Sequence, residues 1–198
     1  MSWPKLLLLR HGETEWNLAG RIQGSLDSSL TALGREQAAA QGRILARVLP
    51  DFGDAALFVS PLERARATAG IALPGAAPVI DPRLREIHCG SWEGLTPEER
   101  RQGWPAIAAA CTSDLALYDR APGGEGLDRL TERLTGFLND LPGPSIIVAH
   151  KVVLLVLRGL LTGRDIPALH NLTSPQGVVI RIADGQETIL TGANFVSP

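Results

Sequence analysis

Residues 6–9 are four consecutive leucines, and the chain then turns polar at once with Arg10 and His11 before Gly12. An apolar run so short and so sharply bounded fits a strand buried on both faces, which requires a sheet covered by helices on either side. A second run, Ile146-Ile147-Val148-Ala149, stops in the same way on His150, and a third, Ala55 to Val59, stops on Ser60-Pro61. Helical patterns lie between these runs. Alternating strands and helices imply an α/β chain of three layers, a mainly parallel central sheet with helices on both faces. No internal repeat or low-complexity linker interrupts it, so residues 1–198 are read as a single domain.

In chain order, Trp16 to Ser29 has no sustained periodicity and reads as a loop folded over the first strand end. Thr31 is the expected N-cap of a helix to about Leu49, with Ala38, Gly42, Leu45 and Leu49 on one face, and Pro50 and Gly53 end it. Pro61 is expected at the first position of a helix that carries Arg64 and Arg66, where its missing N–H costs nothing. Val79-Ile80 is a further short strand, Arg83 to Gly94 is irregular, and Thr96 should cap a helix through about Ala110. Cys111 to Gly126 reads as a loop. Leu127, Leu130, Leu134, Phe137, Leu138 and Leu141 repeat at helical spacing, and Val152 to Leu161 is apolar on nearly every side, as a central helix requires. Val178 to Ile182 and Thr188 to Leu190, around Asp184-Gly185, read as a hairpin.

The formal net charge of −2 argues against a partner held by bulk charge, such as nucleic acid or an anionic membrane. The most apolar stretch, Ile146 to Leu161, contains His150, Lys151 and Arg158 and is short for a membrane span. Met1 to Lys5 leads into the first strand without a cleavable secretory pattern. The two cysteines, Cys89 and Cys111, have neither CxxC nor metal-ligand spacing, so no metal is expected and a reducing cytoplasm is the natural setting. A homodimer is left open.

If the three apolar runs lie side by side and parallel, their ends bring two imidazoles, His11 and His150, together with the guanidiniums of Arg10 and Arg64. Arginine forks match the oxygens of a phosphoryl group. A neutral imidazole can attack phosphorus, and neighbouring guanidiniums oppose its protonation while stabilising charge on the equatorial oxygens. The leaving alkoxide then needs a proton, and Glu86, among Leu84, Ile87 and Trp92, is the candidate acid.

The segment Arg10-His11-Gly12-Glu13-Thr14-Glu15-Trp16-Asn17 resembles the opening signature of the histidine phosphatase superfamily, the phosphoglycerate-mutase-like enzymes. Ser60 to Ala65 is similar to the family's second arginine motif, Leu84 to Gly90 to its acid-bearing segment, and Val148-Ala149-His150 to its second-histidine motif. The resemblance implies that His11 is the phosphorylated nucleophile, its other ring nitrogen held by a backbone carbonyl. It implies that Arg10, Arg64 and His150 bind the phosphoryl group, that Glu86 donates the proton and that Asn17 adds a phosphate contact. The implied reaction is metal-independent hydrolysis of a small-molecule phosphate ester in two steps, without a cofactor. The pocket rim is expected from residues 18–29, with Gln23 and Gly24 as substrate-binding candidates, and from residues 111–126. The compact segment between Glu86 and Gly123, the short stretch after the last hairpin and Gly90-Ser91-Trp92-Glu93-Gly94 resemble the phosphatase branch more than the mutase branch. A cofactor-dependent mutase and a phosphate-binding member without turnover remain as alternatives.

One position departs from the family pattern: Lys151 stands where a glycine usually follows the second histidine. Its side chain crowds the pocket, or adds a cation that lowers the pKa of His150 and alters substrate choice, or points into solvent. His88 and His170 fall at no strand end and read as structural or solvated. Trp92 and Trp104 read as packing residues. The Gly123-Gly124-Glu125 turn is either a plain helix start or an anion contact.

Overall fold

The computed structural model describes residues 3–111 and 113–195. Its centre is a six-stranded sheet: β1 (Leu6–Arg10), β2 (Ala56–Val59), β3 (Val79–Ile80), β4 (Ser145–Ala149), β5 (Val179–Ala183) and β6 (Gln186–Leu190), in the spatial order β3-β2-β4-β1-β5-β6. The first four in that order are parallel, while β5 runs antiparallel to β1 and to β6. The sheet is therefore mixed, with a hairpin added at one side of a parallel core. Asp184 (φ 52°) and Gly185 (φ 73°) are both left-handed, the two-residue turn that suits the twist of paired strands.

Successive side chains of β1 enter different cores, as the strand period of two demands. Leu6 and Leu8 pack with Ile147, Ala149 and the buried faces of α7 (Gly126–Asn139) and α8 (Lys151–Thr162). Leu7 and Leu9 pack with Ile146, Val148 and the faces of α2 (Ala32–Val48) and α3 (Glu63–Ala72). Helices thus cover both faces, in keeping with the unbroken leucine run. In α8 the residues from Val152 to Leu157, together with Leu161, are buried, which accounts for its lack of a polar stripe.

Several boundaries differ from expectation. Residues 16–29 are not all loop: α1 (Glu15–Leu18) is held by a capping box, with Thr14 accepting from the Asn17 N–H and the Asn17 side chain accepting from the Thr14 N–H. Pro61 does not begin α3. The helix starts at Glu63 because Asp27, from a distant loop, accepts the Glu63 and Arg64 N–H groups. The expected helix to Ala110 is two, α4 (Pro97–Gly103) and α5 (Pro105–Ala110), since Pro105 excludes helical geometry at Trp104 (φ −138°, ψ 61°). The stretch after Cys111 contains α6 (Asp114–Asp119), capped by Ser113, too short to show a period in the sequence. A last short helix, α9, covers Ile166–Leu169.

Two glycines let the first strand end sit close against α2. A Cβ on Gly34 would lie 2.0 Å from the Glu13 carbonyl oxygen, and one on Gly12 would lie 2.2 Å from the Gly34 oxygen. Neither clash can be relieved by a side-chain rotation, because both partners are backbone. Gly34→Ala is therefore expected to lower unfolding free energy by about 1–3 kcal/mol, read by urea denaturation, because the Arg10–Glu13 backbone must move away.

Candidate active site

The three strand ends meet. Arg10 is in register with Ala149, and Val59 with Val148. Just beyond, the His11 N–H donates to the Ala149 oxygen (3.0 Å) and the Ser60 N–H to the Val148 oxygen (3.0 Å). The His11 and His150 rings therefore face each other at 5.2 Å between centroids. This is the carboxyl edge of the parallel strands, where open α/β sheets bind ligands.

His11 is buried, and its Nδ1 lies 2.8 Å from the Gly12 carbonyl oxygen. A carbonyl can only accept, so Nδ1 carries the proton of the neutral ring and the lone pair is on Nε2. Burial first, then Arg64 and Arg10, hold the His11 pKa well below its usual value. His150 is shifted the same way, and burial and the charges of Arg64, His11 and Arg10 come first among the causes of the shift. Its Nε2 meets the Ser60 hydroxyl at 2.7 Å.

Arg10 donates through Nη1 to the Ser174 oxygen (2.7 Å). Arg64 is held by a loop: Nη1 donates to Leu26 O (2.5 Å) and Asp27 Oδ1 (2.8 Å), and Nη2 to Gly24 O (2.8 Å). Burial lowers both guanidiniums from their ordinary value, countered chiefly by Glu86 at Arg10 and by Asp27 at Arg64. Both stay charged. Among the described residues, Arg10 Nε, Arg64 Nε and His150 Nδ1 are buried and make no hydrogen bond within the protein. An unsatisfied buried donor costs about 1–3 kcal/mol. Such atoms on three residues of one site are what an anion-binding site requires.

Glu86 lies at the start of α8. Its Oε2 accepts the Val152 N–H (3.2 Å), and its Oε1 accepts those of Val153 (3.3 Å) and Ile87 (3.0 Å). His150, the N-cap of α8, offers no capping side-chain bond. The carboxylate thus takes the place of the cap and is fixed beside the second histidine.

The remaining predicted residues lie around this centre. Asn17 spends its carbonyl oxygen on the Thr14 N–H and Gln176, which leaves its amide NH₂ end for a ligand. Gln23 is a scaffold residue, donating to Thr14 Oγ1 and accepting from Ser28 Oγ. Gly24 acts through its carbonyl on Arg64, and a Cβ there would strike Glu93 Oε1 at 2.2 Å. Lys151 reaches Asp114 Oδ2 at 2.8 Å. His88 stands 3.8 Å from Glu93, and His170 meets Ser113 at 3.1 Å. Trp92 packs edge-on against Trp104 at 6.1 Å. The Gly124 and Glu125 N–H groups bond to Ala121 O and His88 O, so this turn is a plain helix start.

Sequence reasoning missed Ser60 as the partner of His150, and missed Asp27 and Glu93, which bind the loop around Arg64. It also missed Gln176, which donates to the His11 carbonyl (3.1 Å), and Tyr118, whose phenol is pushed up by burial and then by Glu86. A hydroxyl directly after a strand, at Ser60, was the one available signal; the others come from distant loops. Among the described residues no cluster of three or more His, Cys, Asp or Glu could hold a metal ion.

The two buried histidines tie stability to pH. Above about 6.5 neither the folded nor the unfolded chain protonates them. Below it the unfolded chain binds protons that the fold excludes, so stability falls as pH drops, by up to about 1.4 kcal/mol per pH unit for each histidine. Denaturation of the wild type and His150→Gln between pH 7 and pH 5 is expected to show the variant with the shallower slope.

Comparison with known proteins gives a consistent picture. The chain is 39% identical over 162 residues to the probable phosphoglycerate mutase GpmB of Serratia proteamaculans, covering 76% of this chain and 71% of the relative. It is 35% identical over 178 residues to the glucosyl-3-phosphoglycerate phosphatase of Mycolicibacterium vanbaalenii, covering 82% and 76%. The crystal structure of the alpha-ribazole phosphatase from Shigella flexneri superposes with a TM-score of 0.77 at 29% identity, covering 94% of this chain and 95% of that one. A family model for the histidine phosphatase superfamily, branch 1, matches residues 6–193, and the chain belongs to that family.

Proposed function

We propose that this single-domain protein is a metal-independent phosphomonoester hydrolase that acts on small phosphorylated metabolites through a phosphohistidine. The observation that carries the reading is His11: a buried, neutral imidazole whose Nδ1–H is tied to Gly12 O, with its Nε2 lone pair free beside two guanidiniums.

In the first step Nε2 of His11 forms a bond to phosphorus and the P–O bond to the alcohol breaks. Arg10, Arg64 and the Nδ1 side of His150 hold the equatorial oxygens as their charge grows. Glu86 gives its proton to the departing oxygen. In the second step Glu86, now a carboxylate, takes a proton from water, whose oxygen attacks phosphorus as the P–N bond breaks. Inorganic phosphate leaves and His11 is restored.

We read the partner as a small phosphate ester rather than nucleic acid, which the net charge of −2 supports. Among the described residues no helix is long and apolar enough to cross a membrane. A cytoplasmic setting is supported by two free cysteines, and a homodimer is compatible with the exposed Val79 and Ile80 of edge strand β3. The second reading is a mutase that returns the phosphoryl group to a bound acceptor, favoured by the name of the Serratia relative. A coupled mutase assay primed with a bisphosphorylated sugar acid separates the two, since a phosphatase releases phosphate without the primer.

His11→Ala is expected to lower kcat/KM by at least about 10³-fold and to abolish an acid-labile, alkali-stable phosphoryl label on the protein. Arg10→Ala is expected to cost about 10²–10³-fold, mostly in kcat, as the loss of one transition-state donor does. Activity should survive a chelator unchanged.

A further inference from the structure

Beside Arg10 the protein holds a cavity of about 600 Å³, within the size range of small-molecule sites. It shares Arg10 and Ser174 with the site described above and is the adjoining space into which the alcohol part of a bound ester can extend. Leu115, Val152, Leu155 and Leu169 give it apolar walls, and the charged groups lining it are Arg10, Lys151 and Asp114. Arg10 is committed to the phosphoryl group. Lys151 is therefore the cation available to the leaving group.

The Lys151–Asp114 pair is unequal. The Asp114 side chain is 69% exposed and that of Lys151 only 31%. An ion pair this exposed is worth little and separates readily. Asp114 recovers water when it swings away, whereas Lys151, the first residue of α8, stays at the cavity wall. An incoming carboxylate or phosphate restores a charge-assisted bond to the ammonium in a less solvated place than the one it lost. A neutral polyol gains nothing by separating the pair, although Ser113, Tyr118 and Thr173 at the wall can meet its hydroxyls.

We propose that Lys151 is a specificity-determining residue that exchanges Asp114 for an acidic group on the leaving alcohol. The preferred substrates are then phosphomonoesters of alcohols with an apolar body and a second anionic group. This rests on the phosphatase reading above.

The test compares kcat/KM for benzyl phosphate and its 4-carboxy derivative, two esters with the same reacting bond and nearly the same leaving alcohol, with glycerol 3-phosphate as a polyol control. The wild type is expected to favour the carboxylated ester by about tenfold. Lys151→Met should bring that ratio to about 1, Lys151→Arg should keep it, and Asp114→Asn, which removes the competing carboxylate, should raise it. A wild-type ratio near 1, a ratio unchanged in Lys151→Met, or higher kcat/KM on glycerol 3-phosphate than on the carboxylated ester overturns the proposal. If Lys151→Met does not fold, an Asp114→Asn ratio below that of the wild type overturns it. Folded wild type that hydrolyses none of the three esters overturns the phosphatase reading itself, and this inference with it.

Discussion

The parallel pairing of Leu6–Arg10 with Ser145–Ala149 is the constraint on which the site depends. Its register places Arg10 opposite Ala149, so the next residue on each strand is a histidine, and the hydrogen bond from His11 N to Ala149 O continues the ladder one step past the strand. A slip of one residue would turn every side chain of β1 to the other face. That slip is opposed on both sides at once, because Leu6 and Leu8 fill one core while Leu7 and Leu9 fill the other. The geometry of the two imidazoles is therefore held by hydrophobic packing far larger than the local hydrogen bonds at the site.

Burying two guanidiniums and two imidazoles together is unfavourable, and the surrounding loops offset it. Asp27 and the carbonyls of Gly24 and Leu26 hold Arg64, while Glu93 holds that loop through the Ser25 N–H and hydroxyl. Glu86 faces Arg10 and Arg64 electrostatically and satisfies the first turn of α8. Burial first, and then the same positive charges that must be countered in the free protein, keep both histidines neutral, which suits one to attack and the other to bind.

Much of this was legible along the chain because it is written in local patterns. A leucine run, an alanine-ended run and a serine–proline stop mark three strand ends, and the polar residues just past them are the ones the fold gathers. What the chain order concealed was interaction over long separation. Asp27 sets the start of α3, so Pro61 falls outside that helix. Ser60 bonds to His150 across ninety positions, and Gln176 reaches back to the His11 carbonyl. The six residues of α6 form less than two turns, too few for a periodic signal.

Lys151 shows the division most clearly. Residue type and position alone establish that a cation follows the second histidine, because that is a matter of covalent order. The short apolar runs likewise establish buried strands, and their abrupt polar ends establish where chemistry collects. Where the ammonium rests was decided by tertiary structure: α6 brings Asp114 to 2.8 Å of it, at the wall of the cavity beside Arg10. The physical reason is range. Strand burial is specified by neighbours along the chain, whereas the partner of a long charged side chain is selected by whichever distant segment the packing brings within a few ångströms.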